Sequence, residues 1–175
     1  EAGPNRVPPH AHIPIADLSA MTGAFTLAGL GTNQKNTTLT KLITGSGTDI
    51  VRGSRYTALK QISTGAGEDA VIAKAAADLK VNTGDGNDSL LLTGAATLSS
   101  AIVLGSGDDT IGVGDASATV YGGAGADVFI ASNEAAAITV GDYKYSENDV
   151  IIPFYKGSIS LDKEGKFSSI GVNAQ

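Results

Sequence analysis

The chain has 175 residues, 23 of them glycine, with no cysteine or tryptophan, and its 18 acids against 12 bases give a net charge of −6. These figures exclude a disulfide scaffold and thiolate metal sites, an apolar run long enough for membrane insertion, and the basic patch that a nucleic-acid reader needs. A hydrophobic fraction of 42% is too apolar for a disordered chain, while 5% aromatic residues leave few large rings for a core. In chain order, residues 1–17 come first, an extended Pro-rich arm that carries both histidines and four of the five prolines. His10 and His12 would share one side of an extended segment, but no third ligand accompanies them, so a flexible arm is expected rather than a transition-metal site. The chain opens on Glu1 rather than Met, as expected of a processed product or an excised domain, and it shows no signal-peptide pattern.

Five segments then share the pattern x-G-x-G-x-D-x-apolar: Thr44 to Val51, Thr64 to Val71, Thr83 to Leu90, Leu104 to Ile111 and Gly122 to Phe129. Their first glycines, Gly45, Gly65, Gly84, Gly105 and Gly123, are spaced by 20, 19, 21 and 18 residues. Two positions after each Asp stand Val51, Val71, Leu90, Ile111 and Phe129. Three positions before each first glycine stand Leu42, Ile62, Val81, Ile102 and Val120. Apolar and variable positions thus alternate on both sides of a glycine turn, which is strand periodicity. A unit of about 19 residues that cannot bury its own apolar face must stack on copies of itself. The expected fold is all-β, a parallel β-roll or β-helix solenoid of about five to seven coils. Helix-compatible stretches are confined to Ala73 to Leu79, read as a turn insertion or distorted coil, and Asn133 to Ala137.

The repeated glycines, Gly45 with Gly47, Gly65 with Gly67, Gly84 with Gly86, Gly105 with Gly107 and Gly123 with Gly125, let each turn curl and aim its carbonyls inward. Asp49, Asp69, Asp88, Asp109 and Asp127 each add one hard carboxylate after the curl. Carbonyl and carboxylate oxygens are the ligand set of Ca2+, six to eight at roughly 2.3–2.6 Å. Stacked turns about 4.8 Å apart would sandwich ions between them, so five turns predict a column of about four ions or more. The five octads hold eight of the 18 acids and none of the 12 bases, a distribution that turn formation alone does not require.

These motifs resemble the RTX, or hemolysin-type, calcium-binding repeat, a nonapeptide G-G-x-G-x-D-x-U-x. Gly122 to Ile130 (GGAGADVFI) matches it at every position, whereas the other four copies have Thr or Leu in place of the first Gly. In that family, tandem nonapeptides form a parallel β-roll with calcium along both edges. Here the intervening half-turns lack the G-x-D pattern, so the resemblance implies a one-sided roll with a single ion column. It also implies carboxylate ligands at the five aspartates and carbonyl ligands from the motif glycines and neighbours such as Thr44, Ser46, Ala66 and Ser106. Asp85 and Asp108 fall at variable positions and are expected as solvated charge. Asp115 is the one acidic relic on the plain edge, expected to be metal-free, and Met21 to Leu30 is expected as an unmetallated first coil around Gly23.

Beyond Gly141, which continues the register 18 residues after Gly123, Asp142-Tyr143 and Asp149-Val150 resemble the tail that closes many rolls of this family. The final stretch reads as a capping hairpin with Asp162 to Lys166 as its turn. The expected organisation is therefore an arm at 1–17, a roll at 18–143 and a cap at 144–175. Catalysis is not expected: both histidines lie in the arm, no thiol exists, and the paired carboxylates belong to the proposed column. The x positions form no regular Thr or Asn ladder, which sets ice binding aside. The expected role is an extracellular or cell-surface calcium-binding module that folds on binding Ca2+. It would serve as a surface-layer, adhesin, matrix or virion-exterior building block, self-assembling or reaching neighbouring surface proteins through the arm. The alternative is a C-terminal module aiding type I secretion and folding of an enzyme or toxin.

Overall fold

The structure, a computed structural model, describes residues 6–7, 14–29, 35–153, 158–161 and 170–171. His10, His12 and the expected hairpin turn Asp162 to Lys166 lie outside them. The strands, in chain order, begin with β1 (Arg6–Val7), β2 (Ile15–Asp17), β3 (Thr26–Leu27), β4 (Lys41–Ile43), β5 (Ile50–Gly53) and β6 (Gln61–Ala66). They continue with β7 (Ala70–Lys74), β8 (Lys80–Asp85), β9 (Ser89–Thr93), β10 (Ile102–Ser106), β11 (Thr110–Val113) and β12 (Ser117–Ala124). The last are β13 (Val128–Ala131), β14 (Ala137–Val140), β15 (Val150–Ile152), β16 (Ser158–Leu161) and β17 (Ile170–Gly171). Odd-numbered strands from β1 to β15 form one parallel sheet, and even-numbered strands from β2 to β16 form the other. The chain is an all-β solenoid of about six turns.

Register follows the repeat. Leu42, Ile62, Val81, Ile102, Val120 and Val140 stack on the inner face of one sheet, and Val51, Val71, Leu90, Ile111 and Phe129 on the inner face of the other. All eleven are at most 2% exposed, so the alternation in the sequence marks the core. Phe25 and Tyr56 join Phe129 inside it, and the remaining core is aliphatic. A thin roll has room for few rings, which accounts for the aromatic shortage.

The uneven repeat length is absorbed at one edge. The turn after each glycine strand occupies 67–69, 86–88, 107–109 and 125–127, always three residues. The opposite connections run 54–60, 75–79, 94–101, 114–116 and 132–136. Length is therefore fixed where the Gly-x-Asp motif sits and free where it does not.

Several local expectations are corrected. The parallel ladders cross both drawn boundaries: β1 and β2, within the expected arm, pair with β3 and β4, and β15 and β16, within the expected cap, extend the two sheets. Main-chain pairing needs extended backbone and an inward apolar residue such as Ala16, and the acidic motif is no part of that requirement. Of the helix-compatible stretches, Ala73 and Lys74 complete β7 while 75–79 form the turn insertion expected there, and Asn133 to Ala137 gives a turn, in which Asn133 Oδ1 accepts the Ala135 N–H, and the start of β14. Stacking on neighbouring coils overrides their helix propensity. A 3-10 turn at Tyr145–Glu147, ended by Asn148 in the left-handed region, was not legible in the sequence. The expected hairpin is present as the antiparallel pair β16 and β17. No helix among the described residues is long and apolar enough to cross a membrane.

Candidate functional site

The parallel register carries each motif residue onto its equivalent one coil away. Gly65, Gly84, Gly105 and Gly123 stand directly over one another. Gly84 has φ 109°, and a Cβ there would lie 1.7 Å from the Gly65 carbonyl oxygen. Gly105 repeats this against the Gly84 oxygen at 1.8 Å. A column of carbonyls therefore points from each coil onto the bare Cα of the next, and only glycine leaves that space open.

The five motif aspartates form a second column, at most 2% exposed at every position. Each Oδ1 accepts the backbone N–H of the equivalent residue one coil earlier. Asp49 N–H donates to Asp69 at 2.8 Å, Asp69 to Asp88 at 2.8 Å, Asp88 to Asp109 at 2.8 Å and Asp109 to Asp127 at 3.0 Å. At the N-terminal end Phe25, in place of an acid, donates to Asp49 at 2.7 Å. At the other end Asp127 donates to Asp149 at 3.1 Å. Asp149 thus belongs to the column. Its signal was present in the sequence, since Ile151 follows it by two residues as the apolar residue follows each motif Asp.

The second carboxylate oxygens distinguish the middle of the column from its end. Oδ2 of Asp49, Asp69, Asp88 and Asp109 is buried without a hydrogen-bond partner. Thr64 and Thr83 adjoin Asp69 and Asp88, but each hydroxyl has one proton, which it donates to the carbonyl of Thr83 or Leu104 on the next coil. At the C-terminal end, Asp149 Oδ2 accepts the Lys144 N–H at 2.6 Å, and Asp142 accepts from Gly122 and Gly123. The protein satisfies its own carboxylates at that end and leaves them open along the repeats.

The neighbours expected to offer carbonyls are partly engaged: Ala66 and Ser106 carbonyls accept Gly47 and Gly86 N–H at 2.6 and 2.7 Å. A carbonyl retains a second lone pair after one such bond. Asp85 and Asp108 are exposed as expected, yet not idle. Asp85 accepts from the Ser106 hydroxyl, and Asp108 from the Ala126 N–H. Asp115, on the opposite edge, takes the Asn133 side-chain amide.

Burial raises the carboxyl pKa of four residues in the column. Asp69 and Asp88 are raised, Asp127 is raised to about 6 and Asp109 to about 7; their amide hydrogen bonds oppose the shift and neighbouring carboxylates add to it. Two unit charges at the strand spacing of about 4.8 Å repel by roughly 3 kcal/mol at an effective dielectric near 20, so a fully ionised column without cations is strongly disfavoured. A folded-state pKa above the unfolded value contributes stability below the unfolded pKa, and that contribution is lost as pH rises through the folded pKa. In calcium-free buffer, stability is therefore expected to fall between pH 4 and pH 7. Urea denaturation at both ends of that window checks this, and the opposite trend would contradict it.

The donor set tests well for a hard cation. It is all oxygen, with buried orphan carboxylate atoms beside glycine carbonyls whose approach no side chain blocks. Among the described residues no three acidic or histidine side chains converge as one chelate. An ion between coils would rely on main-chain oxygens as well as on Asp. Comparison of the chain with protein families, curated proteins and solved structures finds no match.

Proposed function

We propose that the acidic edge binds Ca2+ in a column and that the chain is an extracellular, calcium-rigidified structural module, a building block of a surface layer, adhesin, matrix or virion exterior. The observation that carries this reading is the run of four buried Oδ2 atoms without partners, because a buried charged group is retained only when something compensates it. The motifs' resemblance to the RTX nonapeptide supports the same ion. Residues that would hold it are Asp49, Asp69, Asp88, Asp109 and Asp127 with the motif glycine carbonyls. The bound ion would neutralise their charge and tie adjacent coils together. Extracellular calcium modules have dissociation constants of about 10⁻⁴–10⁻³ M, so such sites fill outside the cell and empty in cytosol.

Calorimetric titration with CaCl2, paired with analytical ultracentrifugation, tests this directly. Several ions per chain and self-association are the expected result, and the absence of any binding heat at millimolar calcium would overturn the reading. Asp88→Ala, in mid-column, is expected to lower stability in saturating calcium by at least the 1–3 kcal/mol of a buried unsatisfied amide, since Asp69 N–H loses its acceptor. Asp115→Ala should stay within about 0.5 kcal/mol. Equal effects in thermal melts would contradict a one-sided column.

A further inference from the structure

The edge opposite the acidic column carries a cleft of about 280 Å³ whose lining contains Lys35, Arg55 and Lys74 and no carboxylate. Ser54, Thr57 and Thr93 complete its lining, the Thr93 and Thr57 hydroxyls donating their protons to the Ala73 and Asn36 carbonyls and keeping their oxygens as acceptors. Sheet register explains why these residues meet although they are spread from position 35 to position 93. Lys74 pairs with Thr93 at the ends of β7 and β9, and Ser54 follows Gly53, which pairs with Ala73. One coil back, Asn36 bridges Tyr56 and donates its N–H to the Arg55 carbonyl at 3.1 Å, which brings Lys35 alongside Arg55. Gly94 closes the floor at φ 81°, and the Lys74 stem lies 3.7 Å from where a Cβ there would stand.

We propose that this cleft is a binding site for an oxyanion (sulfate, phosphate ester or carboxylate) borne on a small polar molecule such as a sugar. Three cations gathered in one concavity of a chain with net charge −6 form a local field opposite to that of the whole protein. Among the described residues, ion pairs join Lys60 to Asp78 and Lys144 to Glu147, and neither Lys35 nor Lys74 has one. The nearest acid in register, Asp115 on the following coil, is engaged by Asn133. Arginine offers a planar fork suited to carboxylate or phosphate, and the lysines supply point charges beside it. The volume lies at the lower limit of small-molecule pockets, roughly 300 Å³, which suits a single anionic sugar better than a polymer segment. The hydroxyl wall matches a polar carrier.

This site does not rest on the calcium reading, since it lies on the other edge and uses different residues. The full chain, held in 1 mM CaCl2 with its β circular-dichroism signal intact, is titrated at constant ionic strength with sodium sulfate, glucose 6-phosphate, glucuronate and glucose. Amide chemical shifts of Thr93 and Gly94 and calorimetric heats are the readouts. Saturable binding of the anionic sugars, and none of glucose, is expected. Sulfate binding alongside them assigns recognition to the oxyanion itself, whereas its absence assigns a share to the sugar, and both agree with the proposal. Lys74→Gln and Lys35→Gln, exposed changes that should leave the melting temperature in place, are each expected to weaken binding about tenfold, and Lys80→Gln outside the cleft to leave it unchanged. No saturable binding by any anion at 10 mM, or wild-type affinity in both cleft variants, would overturn it.

Discussion

Chelation of calcium with EDTA at pH 7.5 is expected to abolish most of the β circular-dichroism signal, and millimolar CaCl2 to restore it, with magnesium a poor substitute. The argument begins with the buried aspartates. Their Oδ1 atoms hold coil to coil through backbone amides, so ladder and carboxylates stand or fall together. Ionised and uncompensated, each adjacent pair opposes stacking by roughly 3 kcal/mol at an effective dielectric near 20. The four such pairs among the five motif aspartates together rival a typical domain stability of about 5–15 kcal/mol. Divalent ions between coils reverse the sign of that interaction, and because the site exists only in the stacked state, their binding energy becomes folding energy. Magnesium demands a stricter octahedral shell at shorter distances, which carbonyls fixed by the ladder cannot all meet. An EDTA spectrum identical to the calcium spectrum would exclude this role for the ion.

Gly84→Ala is expected to cost about 4 kcal/mol or more in saturating calcium. Its Cβ would overlap the Gly65 carbonyl oxygen at 1.7 Å, and φ 109° is strained for any L side chain. The obstacle is backbone held by a parallel ladder on both sides, so it has no rotamer by which to yield. Relief would require prising two coils apart, which also breaks the adjoining aspartate contact. Gly29→Ala is the control. Its φ is not in the left-handed region, and the new methyl would meet the Arg52 side chain at an ordinary 3.6 Å, so a change within about 0.5 kcal/mol is expected. Chemical denaturation of both variants in saturating calcium gives the comparison, and equal midpoints would refute the steric account. Because the clash exists without any ion, Gly84→Ala separates the geometry of the turn from its metal chemistry.

The two edges of the solenoid differ in how far they could be read in advance. On the acidic edge the turn length is constant, each Asp precedes its inward apolar residue by two, and the same few residue types recur. A reader of the sequence could therefore place all five aspartates in one column, and the structure brings them there. Asp149 escaped the list because the C-terminal copy lacks the Gly-x-Gly curl. There the Asp142 carboxylate accepts the Gly122 and Gly123 N–H groups, and the Lys144 backbone N–H donates to Asp149. On the other edge the connections vary in length and composition, so nothing in the sequence announced that Lys35, Arg55 and Lys74 would meet.

What the sequence by itself determined is whatever repeats: the strand alternation, the all-β class, the stacked coils and the alignment of like residues, because a parallel ladder turns a period in the chain into a column in space. What only the tertiary structure decided is whatever depends on the register of unlike segments. That includes where the sheets begin and end, since pairing at Arg6–Val7 and Val150–Ile152 uses no motif. It includes which carboxylate oxygens are satisfied and which are left bare, a matter of where each neighbouring donor spends its proton. It includes the basic cleft, assembled from residues that share no pattern and are adjacent only because successive coils lie one strand spacing apart.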